Sequence, residues 1–271
     1  MARRVGAAAF LAIMLAFSLA PLYWMLVVSV KGGKSQLISG NPWWPGALFT
    51  LQNYAQVLRD PDFGRLILNT ALVTVATIAV SLTASVLAAL GLAYYRLRVS
   101  SAIALALFAG YLLPQGVLFI PLAVMLSRLH LFGGIAALII VYPTLAIPFG
   151  TWVLWTYFHR LPTDLVDNAR AEGAGVLRVL WEVLLPLSWP AVAAVCLFGA
   201  AVVFNDYLYT FTLVSEHQNM TLMADVGSNL LDIDDPGPTF AEILLGLGPV
   251  ALTSALFADV FGKGLGAGVI E

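Results

Sequence analysis

The sequence predicts an all-α integral membrane protein with six transmembrane helices, and three observations carry that reading. The chain has 271 residues, 61% hydrophobic and only 10% charged, with a mean hydropathy of +0.92. An ordinary soluble domain is roughly 45–50% apolar. Next comes run length, because a spanning helix needs about 20 mostly apolar residues. Stretches at roughly 7–30, 67–93, 102–126, 134–157, 188–213 and 240–261 qualify. Finally, Pro21, Pro114, Pro143, Pro148, Pro190 and Pro249 fall within or at the edges of these stretches. Proline is tolerated there when neighbouring helices satisfy the freed backbone groups, so the helices form a bundle.

The first run, AAAFLAIMLAFSLAPLYWMLVVSV, follows Arg3 and Arg4 as the core of a signal peptide would. It is too long for one and ends without a small-x-small cleavage site, so a retained helix is expected. Residues 31–66 form an outer loop holding Trp43 and Trp44 between two prolines; these serve either as interfacial anchors or as a docking surface. The second run carries Asn69, Thr70, Thr74, Thr77 and Ser81, which either line a polar path or bond helices together. In the outer half of the fifth run sit Asn205 and Asp206. An intramembrane carboxylate is costly; it faces a wet cavity or a gate, makes a helix–helix hydrogen bond, or snorkels to the interface where the helix ends. Tyr207, Tyr209 and Phe211 follow, as a membrane belt or as stacking surfaces for a solute. Residues 214–239 make a second outer loop, polar and punctuated by Gly and Pro. Its acids around Asp232 to Asp235 lack the ligand spacing of a calcium loop.

Sidedness follows from the basic residues. With the N-terminus inside, the cytoplasmic segments hold Arg3, Arg4, Arg96, Arg98, Arg160, Arg170, Arg178 and Lys263. The outer ones hold Lys31, Lys34, Arg59, Arg65 and Arg128. Both termini are therefore expected in the cytoplasm. The net charge of −2 offers no bulk attraction for nucleic acid. Cys196 is a lone cysteine in an apolar run, read as a packing residue. His130, His159 and His217 lie in different loops, so no metal site is expected, and no catalytic constellation emerges.

The stretch DLVDNARAEGAGVLRVLWEVLLPLSWP, residues 164–190, holds six charged residues in a chain otherwise poor in them. It lies between the fourth and fifth runs, on the cytoplasmic side. Thr163 or Asp164 can cap a short helix reaching Ala171. Gly173 and Gly175 permit a sharp turn, because glycine adopts positive φ at little cost. Val176, Val179, Leu180, Val183, Leu184 and Leu187 then repeat at the spacing of an amphipathic helix lying on the membrane surface. A helix–elbow–helix is expected, ending near Pro186 and Pro190.

This stretch resembles the EAA signature of permease subunits of bacterial ABC importers: Glu-Ala-Ala, three residues, Gly, nine residues, Ile, any residue, Leu-Pro. Asp167, Asn168 and Ala169 stand at the first positions, Gly173 at the glycine, Val183 at the Ile, and Leu185-Pro186 at the end. The family's usual Asp-Gly-Ala is here Glu172-Gly173-Ala174. Asp for Glu, Asn for the first Ala, Glu for Asp and Val for Ile are departures. YLLPQGVLFIPLAVMLSRLHLFGG (111–134) and VFNDYLYTFTLVSEHQNMTL (203–222) look like the third and fifth helices of the carbohydrate branch. In length and layout the chain resembles the smaller maltose-type permease subunit across most of residues 7–268, and GKGLGAGVIE is similar to the family's glycine-rich tail.

The resemblance implies a type I ABC importer permease fold over one domain, residues 1–271, in the bacterial inner membrane. It implies a second homologous permease, two cytoplasmic ATP-binding subunits and an extracytoplasmic solute-binding protein as partners. Residues 159–187 would then be the cytoplasmic coupling loop. Asp164, Asp167, Asn168, Ala169, Arg170, Glu172, Gly173, Ala174, Val183 and Pro186 would form the ATPase-coupling site, with Asp167 and Arg170 contacting the ATPase. Asn69, Thr74, Asn205, Asp206 and Tyr207 are candidates for the path or gate, and the cargo would be a sugar or sugar-like solute. Phe261-Gly262-Lys263 lacks the upstream glycine and following hydroxyl of a phosphate-binding loop, so this chain is expected to bind no cofactor. ATP and Mg would sit on the partner ATPase subunits. Importers of peptides, amino acids or phosphate esters share the signature, and a stand-alone secondary transporter is the remaining rival. The latter often carries internal repeats, which are not evident here.

Overall fold

The computed structural model describes residues 2–32, 41, 43–95, 98–229 and 236–248. All regular elements among them are helical; only two isolated bridges, Lys31 with Phe49 and Gly133 with Val214, have strand-like pairing. Three helices are long and apolar enough to cross a membrane: α1 (Ala2–Ser29), α3 (Pro61–Tyr94) and α6 (Ile135–Arg160). Two bent pairs raise that number to five if each is one span. They are α4 (Ser100–Tyr111) with α5 (Gln115–Arg128), and α8 (Val176–Leu187) with α9 (Trp189–Phe204).

Those bends correct the expected continuous spans. The stretch 102–126 is two helices meeting at 91°. Pro114 is the cause, because it has no N–H to continue α4 and disfavours helical backbone at the residue before it. Likewise 188–213 is not one helix. α9 ends at Phe204, and a separate short helix, α10 (Leu208–Leu213), follows the Asn205–Tyr207 break. At the other end of α9, Ser188 marks an 83° turn out of α8. Of the expected sixth span, 240–261, residues 236–248 include a helix, α12, and the remainder lies outside the described residues, as do Asp232 to Asp235, Lys263 and the C-terminal tail.

α3, α6 and α9 form the core. Their contact depends on small residues, the usual device where lipid supplies no hydrophobic drive between helices. A Cβ on Gly150 would lie 2.6 Å from Ser85 Oγ and 3.1 Å from Val195 Cγ1, so α3 and α9 both press on that glycine. Pro143 and Pro148 sit inside α6 without ending it, the first buried in the core and the second half-buried. An aromatic stack, Phe108 on Trp152 at 4.3 Å and Phe149 on Phe198 at 4.1 Å, ties α4 and α9 to α6.

Loops gather at two ends of this core. At one end the α1 terminus meets α2 (Gln52–Arg59), where Asn53 Nδ2 donates to Ser29 O and Lys31 O at 2.8 and 2.9 Å. Tyr23 OH donates to Trp43 O at 2.6 Å, while the Trp43 and Trp44 side chains stay exposed. On the same side Gly133 N donates to Leu213 O and Ser215 N to Gly133 O, joining the α5–α6 turn to the end of α10. The opposite end holds the α3 terminus, the start of α4, the end of α6 and α7 (Thr163–Ala171). Most of α1 stands clear of the core, with none of its apolar window buried.

Candidate functional site

The helix–elbow–helix is present between α6 and α9. α7 begins directly after Pro162, whose extended backbone makes it the cap residue. Thr163 and Asp164 are therefore already inside the first turn, one and two positions too late to cap, and the expected side-chain cap is absent. The C-terminus of α7 is closed by its own backbone. Gly173 takes φ +83°, Gly173 N donates to Arg170 O at 2.9 Å, and Ala174 N donates to Ala169 O at 2.9 Å. That is a Schellman closure, in which the left-handed residue after the helix is usually glycine. Nothing lies within 4 Å of a Cβ at Gly173, so its requirement is conformational and not spatial. Gly175, expected to share the turn, is extended at φ −69° and simply starts α8.

The outward polar surface of the elbow consists of Asp164, Asp167, Asn168 and Glu172, all exposed. Ala169 and Ala174 are half-buried and pack inward against the cluster around Leu90, Leu154 and Phe158. Arg170 also turns inward. Its Nη2 donates to Tyr94 O at 2.9 Å, its guanidinium carbon lies 3.8 Å from the centroid of the Tyr94 ring, and its Nη1 is 3.7 Å from Asp167 Oδ1.

α8 differs from the expected surface helix in which face it hides. Val179, Leu180 and Leu184 are buried against α3, α6 and α9, and Val183 is half-buried with them. Leu177 and Trp181 are exposed on the other side, at 63% and 68%; Pro186 is exposed as well. The apolar stripe was legible; its partner is protein. Residues Leu180–Leu184 form a π-helical turn, which re-registers the buried face just before the 83° bend.

The candidate path residues separate into different surroundings. Asp206 is 8% exposed and accepts from Tyr142 OH at 2.7 Å, Thr210 N at 3.0 Å and Tyr209 N at 3.2 Å. It therefore satisfies the exposed backbone donors at the start of α10 and links that helix to α6. Thr210 Oγ1 continues the network to Tyr142 OH at 2.7 Å and to Thr221 Oγ1 at 3.3 Å. Asn205, beside it, is exposed and folds back onto Ala201 O at 2.9 Å. Tyr207 is half-buried, stacked on Phe211 at 5.0 Å and pressed against Gly227 in α11 (Leu222–Asn229). Tyr209 is 1% exposed, its hydroxyl donating to Gln115 O at 2.7 Å, so its ring is committed inside the protein. Thr74 Oγ1, Thr77 Oγ1 and Ser81 Oγ are buried at the face of α3 with no partner among the described residues.

Asn69 latches the loop at residues 218–222. Its Nδ2 donates to Gln218 O at 2.8 Å and Met220 O at 3.0 Å, while Thr70 Oγ1 accepts from Leu222 N at 2.8 Å and Arg65 Nη1 donates to Gln218 Oε1 at 3.3 Å. Beyond the latch, His217 Nε2 pairs with Asp225 Oδ1 at 2.5 Å, in a cavity shared with Asp60 and Glu242. Among the described residues no metal-binding cluster occurs. Asn69→Leu is expected to speed amide exchange over residues 219–222 about thirtyfold, because each of the two lost bonds contributes about 1 kcal/mol. Hydrogen–deuterium exchange of the purified chain reads this directly, and unchanged protection there would remove Asn69 from the latch. Tyr94 and Tyr142 are the residues that sequence reading missed. Neither stands in a motif, and each meets its partner 76 and 64 positions away.

Over residues 81–265 the chain matches the family described as binding-protein-dependent transport system inner membrane component. It is 29% identical over 241 residues to the diacetylchitobiose uptake system permease protein NgcG of Streptomyces coelicolor, covering 88% of this chain and 79% of that one. To the sulfoquinovosyl glycerol transport system permease protein SmoH of Agrobacterium fabrum it is 28% identical over 260 residues, covering 96% and 91%. Among solved structures, a bacterial ABC transporter involved in the import of the acidic polysaccharide alginate has a similar fold. Its TM-score is 0.78 at 22% identity, over 95% of both chains.

Proposed function

Because the chain belongs to the family of binding-protein-dependent transport system inner membrane components, a family of permease subunits, we propose that it forms half of the membrane path of an ATP-driven sugar importer. Its fold is the helical fold of a type I ABC permease, and it is a multi-pass protein of the bacterial cell membrane. The remainder of the path is supplied by a second, homologous permease. Two cytoplasmic ATP-binding subunits bind ATP and Mg, hydrolyse the ATP, and receive the elbow of this chain. A solute-binding protein delivers the cargo from outside, and this chain itself carries out no chemistry.

One observation carries the reading. The residues in the signature register from Asp167 to Pro186 build a closed, backbone-locked knob at one end of the bundle, with Asp167, Asn168 and Glu172 turned outward. Such a knob transmits force only if its shape is held, and the Schellman closure at Gly173 holds it. Two further features support the expected placement of the elbow and the 214–239 loop on opposite faces of the membrane. The elbow lies at the same end of the core as the inner terminus of α3, and the latched loop 215–229 lies at the other. The cargo assignment rests on relatives that are permeases for diacetylchitobiose and sulfoquinovosyl glycerol. Their shared chemistry is a hydroxyl-rich, sugar-containing solute.

Expressed with its neighbouring genes and purified through a tag on this chain, the protein should bring down an ATPase pair and a second permease. ATP hydrolysis by the complex in liposomes should rise several-fold when sugar-loaded binding protein is added. A chain that purifies alone and moves solute in liposomes on an ion gradient would overturn the proposal in favour of a secondary transporter.

A further inference from the structure

We propose that Arg170 is a positioning residue that clamps the coupling helix α7 to the inner end of α3, so that motion of the elbow reaches the outer loop through α3. The inference rests on the importer reading above and adds to it a route for the force.

The geometry is that of a grip. Tyr94 is the last residue of α3, where backbone carbonyls lack intrahelical partners and the helix presents its negative end. The Arg170 guanidinium answers both properties: Nη2 donates to Tyr94 O at 2.9 Å, and the cation sits 3.8 Å above the ring of the same residue. A planar guanidinium can donate in its plane while stacking through its face, and an ammonium cannot. Asp167, one turn earlier on α7, lies 3.7 Å from Nη1 and steadies the head group. A side chain so engaged on its own protein is directed away from a docked ATPase, leaving Asp164, Asn168 and Glu172 among the outward contacts of the elbow.

α3 is also gripped near its far end. Asn69, Thr70 and Arg65 hold the loop at residues 218–222 by four hydrogen bonds to its backbone and to Gln218. One unbroken helix of 34 residues thus joins the coupling helix to the outer loop. The covalent route from the elbow towards α9 is less direct, because it passes through the π turn of α8 and the 83° break at Ser188. Rigid elements carry a displacement; breaks absorb it.

The test uses the assembled importer in liposomes with Tyr94→Leu, Tyr94→Phe, Arg170→Lys and Arg170→Ala. Tyr94→Leu and Arg170→Lys are expected to lower the solute moved per ATP hydrolysed about threefold or more, with the ATPase pair still co-purifying in full. Tyr94→Phe, which keeps the ring face, should restore the ratio. A normal ratio in Tyr94→Leu overturns the clamp. So does loss of the ATPase pair in Arg170→Ala while Tyr94→Leu retains it, since Arg170 would then be a docking residue. A second readout needs no partner. A nitroxide on Asp164→Cys, in a Cys196→Ser background, should become more mobile in the purified chain when Tyr94 is replaced by Leu. An unchanged spectrum sinks the clamp even if the importer assignment stands, whereas failure of the wild-type chain to bring down an ATPase sinks the importer assignment and leaves the label to decide the clamp.

Discussion

Gly173→Val is expected to reduce solute uptake at least tenfold while the chain still inserts and folds. Residue 173 holds φ +83°, a region where an L-residue with a branched Cβ is strongly disfavoured. The left-handed conformation costs about 1–2 kcal/mol for ordinary L-residues and more for valine. A difference of that size lowers the population of the closed elbow by a factor of roughly 5–30. The two bonds that finish α7, from Gly173 N and Ala174 N, are lost with it. Because α7 is short and exposed, the rest of the bundle has little reason to unfold. Gly173→Asn supplies the control. Asparagine tolerates positive φ, and nothing within 4 Å opposes its Cβ, so it should retain most of the uptake. Equal loss in both variants would place the requirement in the space available to the docked partner and not in backbone conformation. ATP-driven uptake, measured beside the amount of complex recovered, separates these outcomes.

Asp206→Ala is expected to destabilise the protein itself, by about 2–4 kcal/mol. The substitution strips acceptors from Tyr142 OH, Thr210 N and Tyr209 N in a buried setting. A single buried donor left without a partner costs about 1–3 kcal/mol. α10 would lose its start and its tie to α6 together. Thermal unfolding in detergent should show a clear drop for Asp206→Ala, a smaller one for Asp206→Asn, and a loss of the chain from the membrane fraction in cells. If instead stability holds and only the affinity for solute changes, Asp206 belongs to the transport path.

What was legible in the sequence followed the kind of signal each feature leaves. Helical composition and run length identified α1, α3 and α6, because each is one uninterrupted apolar stretch. The elbow was legible for a different reason: its shape depends on backbone spacing around Gly173, and spacing survives the replacement of Glu-Ala by Asp167-Asn168. Direction was not legible. A hydropathy average over 102–126 or 188–213 is unaffected by a right angle at Pro114 or a break at Asn205, since the apolar content is the same on both sides of the turn. Partner choice was hidden for another reason. The stripe from Val176 to Leu184 reads alike whether it faces lipid or α6, and Asp206 reads alike whether it faces water or Tyr142. Only the long-range contacts distinguish these cases, and a single chain without its fold does not display them.

The length of α3 has a consequence for the lipid. At 34 residues it is roughly 50 Å long, against a hydrocarbon layer of about 30 Å. A rod that overreaches its solvent must lean or protrude, and how far it does either depends on acyl-chain length as well as on neighbouring helices. Because the same rod meets Arg170 near one end and Asn69 towards the other, the thickness of the bilayer becomes one of the mechanical settings of the protein.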